Sequence, residues 1–441
     1  MHTPITIHAR TTVGAFRALE TLMQLATRDH QTGHIVIENV PLKIKDAPAY
    51  AYRGYMLDTS RHFMQPTTIK RQLEAMAMNK MNVFHWHISD AQSFPLASKA
   101  TRLGEGAFSS REVYTKDDVL DIVRFARDRG IAIIPEFDMP GHAAAWGGGY
   151  PNLTVCNGWK HDPANGLDFK FNTRQYSGQS PAGQLDISKA ETLDVVEALI
   201  TEMAEWFPGS KYFHLGHDEI NTNCYESAGL DTMDLLRKFQ LHLEKVTAKL
   251  GLKKVLWQEP LTDPRFTGQI NVSHDTVVQA WGIVFDGRNF CDMVVRQGYQ
   301  CINSPTQVTY LDCGIGGEGA YCYASPSEGH EKETCCASHC GWSSWGRIYQ
   351  FDPSEHLTLG EQAYVLGSEA LLWTERVSDF AVDQLSWPRT AALAERLWAN
   401  PKTQVLFAIH GDSLLMLSNG QSEMLSVSGR SAAAVETVRR P

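Results

Sequence analysis

The chain has 441 residues, of which 43% are hydrophobic and 20% are charged, a composition typical of a globular protein with a sizeable core. Its formal net charge of −10 disfavours nucleic acid and anionic membrane surfaces as partners. No apolar run approaches the roughly 18 residues of a membrane-spanning helix. The length suits one large barrel of about 250 to 400 residues with a smaller appendage.

The first 48 residues predict a short α+β unit. A β-branched run at residues 5–9 (ITIHA) indicates a strand, Val13–Thr27 has helical periodicity, and residues 34–40 (HIVIENV) indicate a second strand. We expect residues 1–48 to be the remnant of a separate α+β domain. At the other end, residues 401–441 are rich in Ser, Ala and Gly with little periodicity, which predicts a partly disordered tail.

Between residues 49 and 400, apolar β-branched or aromatic runs alternate with amphipathic helical stretches, a pattern typical of a parallel sheet. Eight strands are predicted, at Tyr52–Asp58, Met81–Ile88, Ile131–Phe137, Tyr212–Gly216, Lys254–Gln258, Thr276–Trp281, Gln300–Ser304 and Tyr364–Trp373. Helices are predicted at Ile69–Met78, Lys116–Arg129, Ile187–Trp206 and Thr232–Leu250. Eight such units closing on themselves form a (β/α)8 barrel, whose active site is expected at the carboxyl ends of the strands.

The sharpest local signal is the run HLGHDE at residues 214–219, directly after the fourth strand. Where a strand ends, the alternation of side chains between its two faces relaxes, and Asp218 and Glu219 can both turn into one pocket. Two like charges there raise at least one pKa and leave an acid that is still protonated near neutral pH. The alternative is that this pair caps the next helix.

Polar and aromatic residues follow the other strands as well, which favours the pocket over the cap. They are Arg61, Asp90, Glu136 to His142, Trp257, Trp281, Tyr310, Asp312, Trp373 and Glu375. Taken alone, a tryptophan such as Trp257 or Trp281 is more often a core residue, and His85 and His87 are better explained as buried, hydrogen-bonded barrel histidines than as catalytic groups. Together, carboxylates and aromatic walls in one concave site indicate an enzyme that cleaves sugars.

At this point the chain resembles glycoside hydrolase family 20, the β-N-acetylhexosaminidases. The motifs that carry the resemblance are RGYMLDTSRHF, KMNVFHWHISDAQSFP, PEFDMPGHAAAW, HLGHDE, VLWQE, LGSEALLWTE and WPRTAALAERLW. They extend from about Val13 to Trp398, and residues 1–48 resemble the end of the family's N-terminal α+β domain. The resemblance implies exo-acting, retaining removal of terminal N-acetylglucosamine or N-acetylgalactosamine, with the acetamido group of the substrate as nucleophile.

The resemblance also implies a role for each matching residue. Glu219 would be the general acid and base, Asp218 would hold the acetamido N–H, and Tyr310 would donate to the acetamido oxygen. Trp257, Trp281 and Trp373 would form the walls of the sugar subsite, Arg61, Asp312 and Glu375 would bind ring hydroxyls, and Asp90 and His142 would lie behind the acid. No metal or other cofactor is implied. The expected ligands are terminal N-acetylhexosamine glycans or chitin oligosaccharides, and a homodimer is a possible assembly.

The nine cysteines and two N-x-S/T sequons, at Asn152 and Asn271, favour an oxidising compartment. No zinc-type cysteine spacing occurs, and the start of the chain has no signal-peptide pattern, so we expect a secreted, lysosomal or vacuolar protein whose sequence begins downstream of its native start. The family resemblance implies a disulfide between Cys156 and Cys224. It leaves the cysteine cluster at residues 313–340 unresolved.

One departure from the family pattern supports an alternative function. His217 stands where the family usually has Gly, and an imidazole there could crowd the site or shift the pKa of its neighbours. The first alternative is therefore a catalytically weakened relative that binds glycans without turnover. The second is a barrel hydrolase that supplies its own nucleophile and acts on sugars without an N-acetyl group.

Overall fold

A closed barrel of eight parallel strands forms the centre of the computed structural model. The structure describes residues 5–157, 161–162, 166–167, 176, 181–282, 289–315 and 341–400, and the backbone of three strands within 406–424. The barrel strands, β1 to β8, are Tyr52–Asp58, Val83–Ser89, Ala132–Met139, Tyr212–Gly216, Lys253–Trp257, Val277–Ala280, Gln300–Asn303 and Val365–Leu372. Each strand pairs with its neighbours in sequence, and β8 closes on β1. All eight predicted strands and the predicted (β/α)8 fold are confirmed.

Helices follow the strands around the outside of the barrel, and the four predicted ones are confirmed to within three residues at each end. The helices are Thr12–Leu25, Pro66–Met78, Lys116–Arg127, Trp146–Gly149, Ala190–Trp206, Thr222–Ser227, Thr232–Lys249, Glu259–Thr262, Phe290–Arg296, Thr306–Thr309, Trp345–Gln350, Leu359–Gln362, Val382–Ser386 and Arg389–Ala399, with single 3-10 turns at Leu103–Gly106 and Pro151–Leu153. Within the described ranges, none of them has the length and apolar character needed to cross a membrane. Their apolar sides pack against the outward-facing side chains of the strands in one continuous core.

The inside of the barrel is layered. At its amino-terminal end an apolar plug contains Tyr52, Val83 and Ile134. At its carboxyl-terminal mouth a second cluster contains Trp257, Tyr310 and Trp373. Between the two lies a buried polar layer, described below. Because the first layer fills the lower end of the barrel, a ligand can enter only at the mouth, as in other barrels of this kind.

The N-terminal segment covers the bottom of the barrel, opposite the mouth. The Arg17 guanidinium on helix Thr12–Leu25 donates to the carbonyl oxygens of Ala77 (3.1 Å), Met81 (2.6 Å) and Gly130 (3.2 Å), which lie just before β2 and β3. The exposed side of the same helix carries Phe16, with 42% of its surface accessible. This exposed apolar side supports our proposal that residues 1–48 form part of a larger α+β unit.

The strand predicted at residues 5–9 is wrong. These residues are exposed and pair with no other strand in the described part of the chain, so their β-branched side chains alone do not form a sheet. The strand predicted at residues 34–40 is reduced to Ile35–Val36, which pairs with Thr27–Arg28.

Short antiparallel pairs occur in the long loops, and a small sheet occurs near the C-terminus. The pairs are Thr154–Val155 with Gln184–Leu185 and His161–Asp162 with Gly166–Leu167. The sheet consists of Leu406–His410, Ser413–Ser418 and Gln421–Met424. The prediction for the tail did not include these three strands, and the rest of the tail, residues 401–405, 411–412, 419–420 and 425–441, lies outside the described residues.

We expect Arg17→Met to lower the free energy of unfolding by about 2–3 kcal/mol, because one buried and two partly buried carbonyl oxygens lose a charged donor. Chemical denaturation of the two proteins would measure the loss. The exposed Arg10 lies one turn before the same helix, and Arg10→Met is a matched control expected to change stability by less than about 0.5 kcal/mol. Equal effects of the two substitutions would contradict the docking role of Arg17.

Candidate active site

Asp218 and Glu219 lie at the mouth of the barrel, immediately after β4. The backbone bends sharply there, and Gly216, His217 and Glu219 adopt positive φ angles of 68°, 81° and 49°. At Gly216 a side chain is excluded, because a Cβ atom would lie 1.6 Å from Asp138 Oδ1. Strained backbone of this kind concentrates at functional sites, where it directs side chains that a regular strand would send to opposite faces.

His217 points away from the two carboxylates. Its ring stacks on Phe239 of helix Thr232–Lys249 at 5.9 Å between centroids, and its Nδ1 lies 3.2 Å from the carbonyl oxygen of Leu215. Burial lowers the pKa of His217 to about 4, so the ring is neutral. The expectation that this imidazole could crowd the site is therefore wrong, because the left-handed backbone turns the ring toward the outer helix.

A buried cation, His142, bridges the pair to Asp90. His142 Nε2 lies 3.3 Å from Glu219 Oε2 and 3.6 Å from Asp218 Oδ2, while its Nδ1 lies 3.1 Å from Asp90 Oδ1. Burial opposes the charge on the ring, but Asp90 and Asp218 raise the pKa of His142 well above its usual range. His142 also has a positive φ angle, 51°, so strained backbone positions both sides of this contact.

Asp90 is held in turn by Arg61. The Arg61 guanidinium lies 2.9 Å from Asp90 Oδ2, 3.2 Å from Asp58 Oδ2 and 3.8 Å from Glu375 Oε1. Burial favours a neutral Asp90, yet Arg61 and His142 lower the pKa of this carboxyl far below its ordinary value. Asp90 is therefore an anion at any physiological pH.

Three further carboxyl groups in this crowded region have pKa values raised above the ordinary range. Burial raises the pKa of Asp218 to about 6. The positive charge on His142 opposes this increase, and the nearby Glu219 adds to it. Burial and the neighbouring Asp218 raise the pKa of Asp138 well above its usual range. The sequence had not indicated Glu259 as a candidate residue. Burial and the neighbouring Asp218 raise its pKa well above the usual range as well. The mouth of the barrel thus concentrates acids that give up their protons at a higher pH than exposed carboxyl groups do.

Aromatic side chains form one wall of this mouth. Trp257, Trp373 and Tyr310 are buried in a single cluster, with ring centroids 6.1 Å apart for Trp257 and Trp373 and 6.0 Å apart for Tyr310 and Trp373. The partly buried Trp281 packs against this cluster, and its indole N–H donates to Glu259 Oε1 at 2.9 Å. The wall combines apolar ring faces with the hydroxyl group of Tyr310.

Glu375 and Asp312 lie at the same end of the barrel. Glu375 follows β8 and contacts Arg61 at 3.8 Å. Asp312 is buried two residues after Tyr310, whose pKa is raised by burial and also by Asp312. All eleven catalytic and substrate-binding candidates from the sequence therefore lie beyond or at the carboxyl ends of the strands. Their individual roles remain predictions.

A disulfide ties together two of the loops that form the site. Cys156 lies in the loop after His142, and Cys224 lies in helix Thr222–Ser227, five residues after Glu219; the structure joins them. A second disulfide joins Cys291 and Cys301, which no sequence pattern had indicated. Cys313 belongs to the cysteine cluster at residues 313–340, whose pairing the sequence left open. Most of this cluster lies outside the described residues.

A layer of buried acids and histidines lies directly beneath the site. Glu136 contacts His85 Nε2 at 2.9 Å and His214 Nδ1 at 3.0 Å, and it also bonds to His87. Glu369 contacts His85 Nδ1 at 2.8 Å. His85 and His87 are thus buried, hydrogen-bonded barrel histidines, as one interpretation of the sequence held. A polar residue in the middle of an otherwise apolar strand is the signal that would have found Glu136 and Glu369.

Some of these groups have the spacing of metal ligands. Donor atoms lie within 4.8 Å of one another in three sets: His85, Glu136 and His214; His87, Asp90 and Asp138; and Asp138, His142 and Asp218. Histidine binds a metal only through an unprotonated nitrogen. Against the effect of burial, the carboxylates raise the pKa of His85 to about 9 and that of His87 to about 10. Because these rings are themselves the cations, we assign no metal to them.

Sequence comparisons agree with this architecture. The sequence model described as the catalytic domain of glycosyl hydrolase family 20 matches residues 50–401. A β-hexosaminidase of Emericella nidulans is 34% identical over 426 residues, which cover 90% of this chain and 67% of that protein. A chitooligosaccharidolytic β-N-acetylglucosaminidase of Ostrinia furnacalis is 34% identical over 418 residues, with 90% and 66% covered. The chain belongs to glycosyl hydrolase family 20.

Solved structures superpose on this family 20 chain over most of its length. The chitobiase of Flavobacterium johnsoniae has a TM-score of 0.66 and 30% identity, and the match covers 87% of this chain and 53% of the chitobiase. A mutant β-hexosaminidase of Streptomyces plicatus in complex with its product GlcNAc has a TM-score of 0.67 and 28% identity, with 89% and 73% covered. The chain spans about two thirds of the length of the curated relatives above.

We expect Asp218→Asn and Asp90→Asn to change the stability of this family 20 protein in opposite directions. The pKa of Asp218 is about 6 when folded, above its ordinary 3.8, so the carboxyl costs stability as pH rises from about 4 to 6. Asp218→Asn removes that cost. Its effect on the free energy of unfolding should therefore be more favourable at pH 7.5 than at pH 3.5, by up to about 3 kcal/mol. The pKa of Asp90 is depressed, so its carboxylate stabilises the fold above pH 4. Asp90→Asn should therefore lower the free energy of unfolding at pH 7.5 by about 3 kcal/mol or more.

Denaturant midpoints of the two variants and the wild type at pH 3.5 and 7.5 would test this pair of signs. If Asp218→Asn destabilised the protein more at pH 7.5 than at pH 3.5, the raised pKa assigned to Asp218 would be wrong.

Proposed function

We propose that this protein removes terminal β-linked N-acetylhexosamine residues from glycans or chitin oligosaccharides, with retention of configuration and with the acetamido group of the substrate as nucleophile. The names of the relatives, β-hexosaminidase and chitooligosaccharidolytic β-N-acetylglucosaminidase, support this class of substrate. The activity is inferred for the whole protein from a chain that covers about two thirds of those relatives.

The observation that carries the proposal is the environment of Asp218. Its Oδ1 atom is buried and accepts no N–H group or hydroxyl group of the described residues, so its hydrogen-bonding neighbour is the carboxyl group of Asp138, and a buried carboxylate with so few donors is costly. An acetamide N–H would supply the missing donor. The adjacent wall of Trp257, Trp373 and Tyr310 offers an apolar surface for the acetyl methyl group and a hydroxyl group for the acetamide oxygen.

In the first step, the acetamido oxygen forms a bond to C1 while the bond between C1 and the glycosidic oxygen breaks. Glu219, whose side chain retains 31% of its exposure at the mouth, is the group placed to give its proton to the departing oxygen. Asp218 orients the acetamide through its N–H and offsets the positive charge that develops on the ring as an oxazolinium-type intermediate forms. The hydroxyl group of Tyr310 donates to the acetamido oxygen and orients it toward C1.

In the second step, water attacks C1 from the face that the aglycone has left, and Glu219 accepts its proton. The bond from C1 to the acetamido oxygen breaks, and the two inversions together give retention. Arg61, Asp312 and Glu375 are assigned to ring hydroxyls, because all three lie at the mouth beside the aromatic wall. His142 and Asp90 position the acid–base pair from behind.

The orientation of His217 bears on the alternative of a binding protein without turnover. Its ring packs on Phe239 rather than toward Asp218, so the feature that motivated a weakened site leaves the pocket open. Two disulfides and the surface positions of Asn152 and Asn271 support a secretory, lysosomal or vacuolar location.

We expect Glu219→Gln to reduce kcat/KM on 4-nitrophenyl N-acetyl-β-glucosaminide by about 10³-fold, because the leaving group loses its proton donor. On the 2,4-dinitrophenyl glycoside, whose leaving group needs little protonation, the loss in the first step should be much smaller. The exposed Glu226, seven residues later, provides a matched control, and Glu226→Gln should behave as wild type. Equal, negligible rates for wild type and Glu219→Gln would defeat the proposed activity.

Participation of the acetamido group makes a separate prediction about substrate choice. The wild-type protein should hydrolyse the N-acetyl glycoside but show near-zero rates on the matching 4-nitrophenyl β-glucoside, which carries no nucleophile of its own. A thiazoline mimic of the intermediate should compete strongly with substrate. Comparable rates on the two glycosides would instead favour a nucleophile supplied by the protein.

A further inference from the structure

The buried polar layer is joined to the acid–base pair by an unbroken series of contacts. Beginning at Glu369, the series passes through His85 (2.8 Å), Glu136 (2.9 Å) and His87, and then to Asp90. His87 Nε2 lies 2.9 Å from Asp90 Oδ2, the same oxygen that contacts Arg61. Asp90 Oδ1 contacts His142, which lies 3.3 Å from Glu219. Carboxylates and imidazoles thus alternate from the barrel interior to its mouth.

We propose that His87 is a positioning residue for the acid–base pair, acting on Glu219 and Asp218 through Asp90 and His142. The proposal rests on the proposed function, since it assigns a further residue to the same reaction. His87 does not touch the pocket directly, because its ring lies edge-on beneath Trp373 at 4.8 Å between centroids. Its effect is to hold Asp90 in place from below and to add one positive charge under His142.

The surroundings of His87 favour a charged ring. Glu136 and Asp90 bond to its two nitrogens, Asp138 lies within the same cluster, and Asp58 is its neighbour across the sheet. The cations around it are Arg61 and His142, on the far side of Asp90, and His85, which contacts the same oxygen of Glu136. Burial opposes charging, but these carboxylates raise the pKa of His87 to about 10. The ring donates from both nitrogens, which fixes the orientation of both carboxylates.

His214 provides a matched control within the same layer. It is equally buried, and its Nδ1 lies 3.0 Å from the other oxygen of Glu136, yet it has no contact with Asp90. Burial lowers the pKa of His214, so it is neutral and its removal takes no charge away. The two histidines therefore share their burial and their contact with Glu136, but they differ in their link to Asp90 and in charge. His214 Nδ1 also accepts the backbone N–H of Gly216 at 3.1 Å.

The test is the pH dependence of kcat/KM for wild type, His87→Gln and His214→Gln. Loss of a nearby cation raises the pKa of every remaining group, whether acid or histidine, so both limbs of the His87→Gln profile should move to higher pH by about one unit. The limbs of the His214→Gln profile should stay within about 0.3 unit of wild type. Coincident profiles for His87→Gln and wild type, or equal shifts in the two variants, would overturn the proposal.

A second measurement does not depend on the folding of a variant. In wild-type protein labelled with ¹⁵N in its histidine rings, His87 should be doubly protonated at pH 7, and its signals should respond when His142 titrates. A neutral His87 at pH 7 would overturn the proposal. An inactive wild type would refute the proposed function instead, and the ring titrations would still decide whether His87 is charged and coupled to His142.

Discussion

The whole site depends on the ion contact between Asp90 and two cations, Arg61 and His142. All three groups are almost fully buried, so the contact gains from a low dielectric and would be costly to break on one side only. It connects three strand ends, those of β1, β2 and β3, and through His142 it reaches the pair that follows β4. Through these contacts, the Asp90 carboxylate orients side chains at the ends of four of the eight barrel strands.

The carboxyl groups at the mouth of the barrel concentrate negative charge, which lowers the stability of the fold. Asp138, Asp218 and Glu219 lie around the positive ring of His142, and Glu259 lies beside Asp218 and Glu219. The pKa values of Asp138, Asp218 and Glu259 are raised as a result. Positive φ angles at His142, His217 and Glu219 add backbone strain at the same place. Such costs are expected where residues are selected for chemistry, and the rest of the barrel compensates for them.

The polar layer beneath the mouth connects stability with chemistry. A (β/α)8 barrel is ordinarily filled by branched apolar side chains, and here the lowest layer follows that rule while the next contains two glutamates and three histidines. These groups contact one another inside the barrel. They also form the only support that Asp90 has from below within the described part of the chain.

The eight strands were predictable because strands buried on both faces have long apolar runs that end at polar clusters. The positions of the candidate residues were predictable because the carboxyl ends of parallel strands meet at one face of the barrel. Residues 5–9 were wrongly predicted because a β-branched run forms a strand only where a partner strand exists. The direction of His217 and the bond between Cys291 and Cys301 depend on local backbone geometry and on contacts between distant segments, which a single sequence does not contain.

In the proposed mechanism, Asp218 and Glu219 bind a substrate whose own acetamido group is the nucleophile. A crystal structure of this protein with N-acetylglucosamine bound at the mouth would test it most directly. We expect the acetamide to fold back under C1, with its nitrogen within hydrogen-bonding distance of Asp218 Oδ1 and its oxygen within reach of the Tyr310 hydroxyl group. An acetamido arm that extends into solvent, or an Asp218 carboxylate that makes no contact with it, would contradict the account.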